Sequence, residues 1–235
     1  MESNTDFIIK AKETFSSLSL SEAEIDPDLK KIEADGGLIE LEIYKTDKLE
    51  KIVFCTINIF ESGVIEATVL AWPDDKYNFP VLWCNLTIVP SVMNVPVFDF
   101  IPLDDIVVRP RYADQYLENL CELRSKALEL FGDTVVDKAI DLPSKTVYTL
   151  SPFNLVAMIS DEGISRVPEA AIEYINSYIG IIQQAAPVAD KKEQEYCLNR
   201  KMAARELMKA NDPGYPFMID VFGEERTRRV FDIVF

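Results

Sequence analysis

Five consecutive strand patterns, joined by short loops, constrain the fold of this chain more than any other feature of its sequence. Apolar and polar residues alternate within them, and loops such as Glu61-Ser62-Gly63 carry residues that favour turns. The patterns cover residues 38–45, 51–60, 64–72 and two further strands within 78–103. Parallel neighbours would require long crossover connections. The sequence therefore predicts an antiparallel meander.

Helical patterns take up most of the remaining chain. Residues 6–16 predict a short amphipathic opening helix, and residues 113–131 predict a longer one. Further helices are predicted from Pro168 to before Pro187, over 190–209 and after Gly223, with extra strand segments at 146–150 and 154–159. Strands first and helices mostly later indicate the α+β class. With 48% hydrophobic residues and no repeat or Gly/Ser linker, residues 1–235 are expected to form one domain.

Two of the predicted strands carry polar residues on one side. Trp83, Asn85 and Thr87 share a side of the fourth strand, and Glu66 and Thr68 share a side of the third. An aromatic ring beside an amide, hydroxyls and a carboxylate would suit a pocket for a flat, partly polar ligand. The same pattern is expected where one face of an antiparallel sheet meets water. Periodicity leaves both interpretations open.

The chain contains no histidine, which removes several classes of chemistry at once. Histidine general bases, Ser-His-Asp triads and histidine-ligated metals are excluded. The four cysteines are widely spaced with no C-x-x-C pair, a pattern typical of reduced thiols in a cytosolic protein. Proton chemistry must therefore use carboxylates, Tyr, Lys, Cys or water, and no metal site is predicted.

Charge is strongly negative and unevenly distributed. The chain has 24 basic and 40 acidic residues, and the net charge of −16 makes nucleic acid an unfavourable partner. From Pro187 to the end, nine basic and nine acidic residues cancel. An acidic partner protein is therefore expected to dock only on this electrically neutral segment.

No apolar run approaches the length of a membrane span. The N-terminus also lacks the basic-then-apolar order of a signal peptide. We therefore expect a cytoplasmic protein, or one of the plastid stroma if a transit peptide has been removed.

Several short stretches together resemble the ferredoxin-dependent bilin reductases and the related red chlorophyll catabolite reductases. The similarity runs from about the third strand to the C-terminus, and its order and spacing carry the resemblance. The matching stretches are Trp72-Pro73, Tyr77-Asn78-Phe79-Pro80, Cys84-Asn85-Leu86, Phe98-Asp99-Phe100-Ile101-Pro102-Leu103, Val107-Val108, Tyr112, Ser151-Pro152, Asn211-Asp212-Pro213, Phe222-Gly223 and Arg229-Val230.

The resemblance implies a fold and a reaction. It implies a three-layer α/β/α sandwich with a central antiparallel sheet, and a linear tetrapyrrole such as biliverdin held between the sheet and the C-terminal helices. Reduced ferredoxin would supply single electrons directly, so no bound redox cofactor is implied. Protein carboxylates would supply the protons.

The resemblance also implies roles for individual residues. The acidic residue that follows the last long helix in the family falls on Asp212. The acidic residue on the sheet falls on Asn85, which is a departure because an amide does not ionise. The histidine of the phycocyanobilin-forming members falls on Thr68. Glu66, two residues before Thr68 on the same side, is the second candidate acid.

Basic residues near the C-terminus are expected to bind the substrate or the electron donor. Arg200, Lys201 and Arg205 are candidates to bind the bilin propionates, and the competing interpretation is ordinary helix-surface charge. Trp83, Thr68 and Thr87 are expected to line the pocket. Ferredoxin is expected to dock near Arg226, Arg228 and Arg229, or near Lys191 and Lys192.

Two other functions remain open. Because Asn85 and Thr68 replace ionisable family residues, the chain could bind a tetrapyrrole as a chaperone or carrier without reducing it. A structural domain with no ligand is the third interpretation.

Overall fold

The computed structural model describes residues 2–137 and 145–235, with side chains described from Asp6 onward. The helices are α1 (Glu2–Phe15), α2 (Pro27–Lys30), α3 (Pro110–Tyr116), α4 (Leu120–Phe131), α5 (Val167–Gln184), α6 (Lys191–Asn211), α7 (Tyr215–Phe222) and α8 (Glu224–Val234). The strands are β1 (Ser21–Glu22), β2 (Lys31–Ala34), β3 (Gly37–Lys45), β4 (Leu49–Ile59), β5 (Val64–Pro73), β6 (Val81–Val89), β7 (Met93–Ile101), β8 (Val135–Asp137), β9 (Leu155–Val156) and β10 (Met158–Ile159).

One antiparallel sheet forms the centre of the molecule. Strands β3 to β7 pair in sequence order, as the alternating patterns predict, and β10 and β8 continue the sheet beyond β7. In the register of β5 and β6, Thr68 lies opposite Asn85 and Glu66 lies opposite Thr87. The polar residues of the two strands are therefore direct neighbours on one face.

Helices cover both faces of the sheet, so the α/β/α sandwich is confirmed. Helices α1, α4 and α5 bury one face, where Phe7, Phe131 and Tyr174 belong to one core cluster and Tyr174 packs on Phe98 of β7. Helices α6, α7 and α8 cover the other face, where the apolar contacts include Met208, Met218 and Phe231 with Leu41 and Trp72. The polar face of β5 and β6 belongs to this second side.

Two short strands lie along the outer edge of β3. Residues of β1 pair with Tyr44 and Lys45 near one end, and β2 pairs with the stretch from Gly37 to Glu40 at the other. Outside β1, the backbone N–H of Ala23 also donates to the carbonyl oxygen of Ile43, at 2.8 Å.

A bulge interrupts β4 near its start. The register with β5 shifts between Leu49 and Lys51. Leu49 and Ile52 both pack in the core on the α5 side, although they are three residues apart. The extra residue of the bulge therefore turns Glu50 and Lys51 together toward α6 and α8.

The predicted helix over residues 113–131 is wrong as a single element, because α3 and α4 are separate. The chain makes a turn between them, in which the N–H of Leu120 donates to the carbonyl oxygen of Leu117 at 3.0 Å. The turn buries both leucines completely. It also leaves Tyr116 free to donate to Asn78 Oδ1, at 3.0 Å. Tertiary packing thus overrides the continuous helical pattern.

The predicted strand over residues 146–150 is also wrong. Residues Lys145–Thr149 form a 3-10 helix, and the Thr149 hydroxyl donates to the Thr146 carbonyl oxygen at 2.7 Å. Residues 154–159 do extend the sheet, but as the two short strands β9 and β10.

The remaining helix predictions are confirmed within a few residues, and five of the described strands and α-helices were not predicted. Asp190 caps α6, since its carboxylate accepts from the backbone N–H groups of Lys192 at 2.7 Å and Glu193 at 3.1 Å. The five new elements are β1, β2, β8, α2 and α7. No helix in the described ranges is both long and apolar enough to cross a membrane.

Candidate active site

Four polar side chains form one hydrogen-bonded cluster on the sheet, facing the end of α6. Asn85 Nδ2 donates to Thr68 Oγ1 at 2.8 Å and to Glu66 Oε1 at 3.0 Å. Thr68 Oγ1 donates to Glu66 Oε1 at 2.9 Å, and Thr87 Oγ1 donates to Asn85 Oδ1 at 3.0 Å. Thr68 and Asn85 are only 5% and 4% exposed. The inner half of this cluster is therefore enclosed by protein, unlike a fully solvated sheet face, while Glu66 and Thr87 at its border are partly exposed.

Asp212 comes to the same place from a different element. Helix α6 ends at Asn211, and the Asp212 carboxylate accepts from the Gly214 N–H at 2.8 Å in the following turn. A Cβ atom placed on Gly214 would lie 3.1 Å from Asp212 Oδ1 and 3.8 Å from Glu66 Oε2. These two oxygens are therefore at most about 7 Å apart, a separation at which like charges still repel measurably.

The surroundings hold both carboxyl groups toward their protonated forms. Burial raises the pKa of Glu66 to about 7, the charge of Asp212 adds to this, and hydrogen bonds from Thr68 and Asn85 partly oppose it. Burial also raises the pKa of Asp212, against the N–H groups of Gly214 and Tyr215. Both side chains keep some contact with solvent. A carboxylic acid that is protonated near neutral pH and reachable by protons can act as a general acid.

An apolar wall adjoins the polar cluster. Trp83 packs with Val97 of β7, Val156 of β9 and Leu150. Trp83 and Thr87 are only partly buried, so this part of the face remains accessible. A flat ligand with a polar edge would meet a ring and aliphatic groups on one side and a carboxyl pair on the other.

Asp99, a fully buried carboxyl on the same face, has no role among the residues predicted from the sequence. Asp99 lies opposite Trp83 in the sheet register. It accepts from Ser151 Oγ at 2.5 Å and from the Ser151 N–H at 2.7 Å. Burial raises the pKa of Asp99 to about 7, and the hydrogen bonds from Ser151 oppose this. Asp99 is the one charged residue in the otherwise uncharged β7, which is the signal that would have found it.

The three basic residues of α6 lie away from the polar cluster. Arg200 Nε donates to the Pro102 carbonyl oxygen at 3.0 Å. Lys201 is 2% exposed and binds Glu50 and Asp75, and Arg205 Nη2 donates to Glu50 at 2.7 Å. Their partners are thus strand ends and loops rather than the polar cluster or the surface glutamates of α6.

The proposed docking residues sit on two separate helices. On α8, Arg228 pairs with Asp232 at 3.1 Å and Arg229 pairs with Asp26 at 2.5 Å. Lys191 and Lys192 are exposed in the first turn of α6. The two groups therefore differ in how far their charge is already neutralised.

Two hollows in the described surface lie elsewhere. One of about 790 Å³ lies between α1 and strands β3 and β4, on the opposite face of the sheet. Another of about 400 Å³ lies around Arg109 and Tyr112. Neither contains Glu66 or Asp212, so the site is assigned by its chemistry rather than by the size of a hollow. Among the described residues, no three His, Cys, Asp or Glu side chains are arranged to hold a metal ion.

Comparison with known proteins decides the family. Residues 9–234 match the family described as ferredoxin-dependent bilin reductase. The chain belongs to this family. Two relatives of the chain carry the name 15,16-dihydrobiliverdin:ferredoxin oxidoreductase. The one from Nostoc punctiforme is 26% identical over 223 residues, covering 93% of this chain and 88% of the relative. The one from Gloeobacter violaceus is 26% identical over 188 residues, covering 79% and 73%.

A solved structure supports the fold of the chain. It is phytochromobilin synthase from tomato in complex with biliverdin, with a TM-score of 0.78 and 18% identity. The match covers 95% of this chain and 78% of that one. At this identity the likeness supports the fold alone.

Proposed function

We propose that this chain reduces a bilin with single electrons from ferredoxin, and that Glu66 and Asp212 supply the protons. The observation that carries the proposal is the meeting of these two carboxyl groups, from β5 and from the end of α6, in one partly enclosed cluster. Each has a raised pKa because of burial. Family membership supplies the reaction class, and the carboxyl pair supplies the acid that this reaction requires.

The geometry supports a simple division of labour. Adding an electron to a conjugated bilin makes its carbons and nitrogens more basic, so a nearby carboxylic acid can then transfer a proton. Asn85 cannot ionise, but its Nδ2 donates to both Glu66 and Thr68 and so fixes the direction of the Glu66 carboxyl. Asn85 and Thr68 are therefore positioning residues here, at positions where the resemblance implies an acid in most members and a histidine in the phycocyanobilin-forming ones.

The substrate is proposed from the relatives. Two of them are named for 15,16-dihydrobiliverdin, and the tomato structure holds biliverdin. We propose a bilin of this class, lying against Trp83 and Thr87 with a polar edge toward the carboxyl pair. Arg200 is the best of the three candidate propionate partners, because it donates to a carbonyl and not to a carboxylate.

The direct test is anaerobic turnover. Biliverdin and 15,16-dihydrobiliverdin are each mixed with the protein, ferredoxin and a ferredoxin-reducing system, and products are separated by chromatography. Asp212→Asn and Glu66→Gln should retain binding but lower turnover by about 10²-fold or more, as expected for loss of a general acid. Glu61→Gln, in the exposed β4–β5 turn, is the matched control. Undiminished turnover in both site variants would rule out the carboxyl pair.

The competing function is bilin binding without reduction. Asn85 and Thr68 support it, because neither side chain can supply a proton by ordinary ionisation. A bilin absorption band that shifts on mixing, with quenching of Trp83 fluorescence, should accompany binding under either function. Trp83→Phe separates this quenching from the buried Trp72. Binding followed by no ferredoxin-driven change in either bilin would favour the carrier function.

Ferredoxin docking is proposed on the basic groups of the C-terminal helices. Lys191 and Lys192 are the cleaner test, because reversing Arg228 or Arg229 would also break their ion pairs. Replacing both lysines with glutamate should slow ferredoxin-driven turnover while leaving bilin binding intact, and added salt should slow the native reaction. The double variant Arg228→Glu, Arg229→Glu tests the other helix. Turnover indifferent to all these changes would place the donor elsewhere.

A further inference from the structure

A compact group of charges lies where α6 and α8 cross the start of β4, away from the carboxyl pair. The bulge in β4 sends Glu50 and Lys51 to the same side, where they meet Lys201 and Arg205 of α6. Glu50 Oε2 accepts from Lys201 Nζ at 3.0 Å and from Arg205 Nη2 at 2.7 Å. Lys201 also pairs with Asp75. The group contains three cations and two carboxylates.

Lys51 is the one cation of this group that has no carboxylate partner in the described part of the chain. Its Nζ donates to the carbonyl oxygen of Ile233 at 2.6 Å, and in the described part of the chain no carboxylate lies within 4.0 Å of it. Burial lowers the pKa of Lys51 to about 7, and the charges of Arg205 and Lys201 contribute, against the attraction of Glu50. A large share of this amine is therefore uncharged near neutral pH and available as a nucleophile.

Arg205 has an unused donor in the same neighbourhood. Its Nε is buried and has no hydrogen-bond acceptor among the described residues. The guanidinium lies 4.5 Å from the ring centroid of Trp72, which is the cross-strand neighbour of Lys51. Buried donors are rarely left unpaired. In the described part of the chain, an amine with no carboxylate within 4.0 Å thus interacts electrostatically with a guanidinium whose Nε–H has no acceptor.

We propose that Lys51 is a carbamylation site for carbon dioxide, and that the carbamate is held by Arg205. The Lys51 lone pair attacks the carbon of CO₂, one C=O π pair moves to oxygen, and the nitrogen loses one proton to water. The products are a lysine carbamate anion and H⁺, with no oxidation or reduction.

The surroundings favour the product in two ways. The carbamate places a negative charge near the cations Arg205 and Lys201, which repel the protonated amine, and its oxygens offer an acceptor to Arg205 Nε. The carbamate nitrogen keeps one hydrogen, so the bond to the Ile233 carbonyl oxygen can persist. Glu50 opposes the new anion, but it already uses Arg205 Nη2 rather than Nε. Lys51 is partly exposed, so a small uncharged molecule can reach it.

The test uses the whole protein and ¹³C-labelled CO₂ with bicarbonate near neutral pH. Carbamates are trapped by O-alkylation with a trialkyloxonium salt, and labelled peptides are located by mass spectrometry. Label on Lys51 should exceed label on the exposed Lys45 by about tenfold or more, because a pKa lowered by several units raises the neutral fraction by a factor of ten per unit. Equal label on the two lysines, or none on Lys51, would overturn the proposal.

Variants and stability give independent readouts. Lys51→Arg should abolish the label, and the matched control Lys45→Arg should leave it unchanged. Arg205→Met should reduce it severalfold, whereas full labelling in that variant would remove Arg205 as the partner. CO₂ should also raise the unfolding midpoint of the native protein and not that of Lys51→Arg, since a ligand of the folded state stabilises it. A CO₂ effect that persists in Lys51→Arg would contradict the assignment.

Discussion

The carboxyl pair of Glu66 and Asp212 should make the stability of the protein fall as pH rises through neutrality. The pKa of Glu66 in the folded protein is raised above its ordinary value, so the folded state holds this proton more tightly than the unfolded state. The associated stability is complete below the ordinary pKa of glutamate and is lost as pH rises through about 7. Asp212 acts in the same direction.

The size of the effect follows from the geometry. A shift of the Glu66 pKa from 4.5 to about 7 would correspond to at most about 3 kcal/mol, and partial exposure lowers the expected change to about 1–2 kcal/mol. The two carboxylate oxygens are at most about 7 Å apart, so their repulsion is at least about 0.6 kcal/mol even with the full screening of water. Removing the Asp212 charge should therefore remove an appreciable part of the pH dependence, and burial of Glu66 supplies the rest.

Urea unfolding at about pH 5 and about pH 8.5, at constant ionic strength, measures this directly. The free energy of unfolding should fall less over this range in Glu66→Gln and Asp212→Asn than in the native protein. Glu61→Gln should behave as the native protein does. Asp99 titrates in the same direction but is common to all four proteins, so it cancels in the comparison. Parallel losses in the native protein and Glu66→Gln would refute the raised pKa of Glu66.

Four further substitutions test other parts of the structure. Ser151→Ala should lower the free energy of unfolding by about 1–3 kcal/mol in urea titrations, because the buried Asp99 carboxyl would lose the hydrogen bond from the Ser151 hydroxyl. An unchanged unfolding midpoint would contradict this. Lys201→Met should lower the free energy of unfolding by about 1–3 kcal/mol in the same measurement, because Asp75 loses its cation and Glu50 keeps only Arg205 as a partner. Gly37→Ala should reduce the thermal unfolding midpoint, because the added Cβ would lie 2.7 Å from the ring of Phe222 and 2.8 Å from the carbonyl oxygen of Asn58. A midpoint at or above the native value would show that the strand adjusts. Asn85→Asp should change the product distribution seen by chromatography, since it adds an ionisable group beside the carboxyl pair; identical products would show that this position does not choose the protonated atom.

Local periodicity was enough to predict the meander, because alternation along β5 and β6 determines which side chains share a face. It therefore placed Thr68, Asn85 and Thr87 together correctly. It could not show whether that face meets water or protein, because the answer depends on the turn after α6. Asp212 was assigned to the site only through the resemblance. The sequence Asn-Asp-Pro-Gly by itself predicts a turn, and it does not indicate which residues lie near that turn.

Other features depend on contacts that no local pattern contains. The break between α3 and α4 follows from the burial of Leu117 and Leu120. The 3-10 helix at residues 145–149 leads into Ser151, whose backbone N–H donates to the Asp99 carboxylate. Lys201 has the composition of a surface residue on a charged helix, yet it is buried because Glu50 and Asp75 lie opposite. The β4 bulge that makes this possible has no signature in the alternation of residues 49–52.

The way β1 and β2 lie along β3 bears on how the protein behaves at high concentration. A long strand at the border of a sheet offers unpaired N–H and C=O groups to any other extended chain, and such borders are starting points for aggregation. Here two short strands pair with most of the outer edge of β3. Lys30 at the end of α2 and Lys31 at the start of β2 add positive charge at this edge. Deleting residues 21–34 would uncover that border and would also remove Ala23, Leu29 and Ile32 from the core beneath α7 and α8. The truncated protein should consequently form more fibrils or soluble multimers than the full chain under the same conditions.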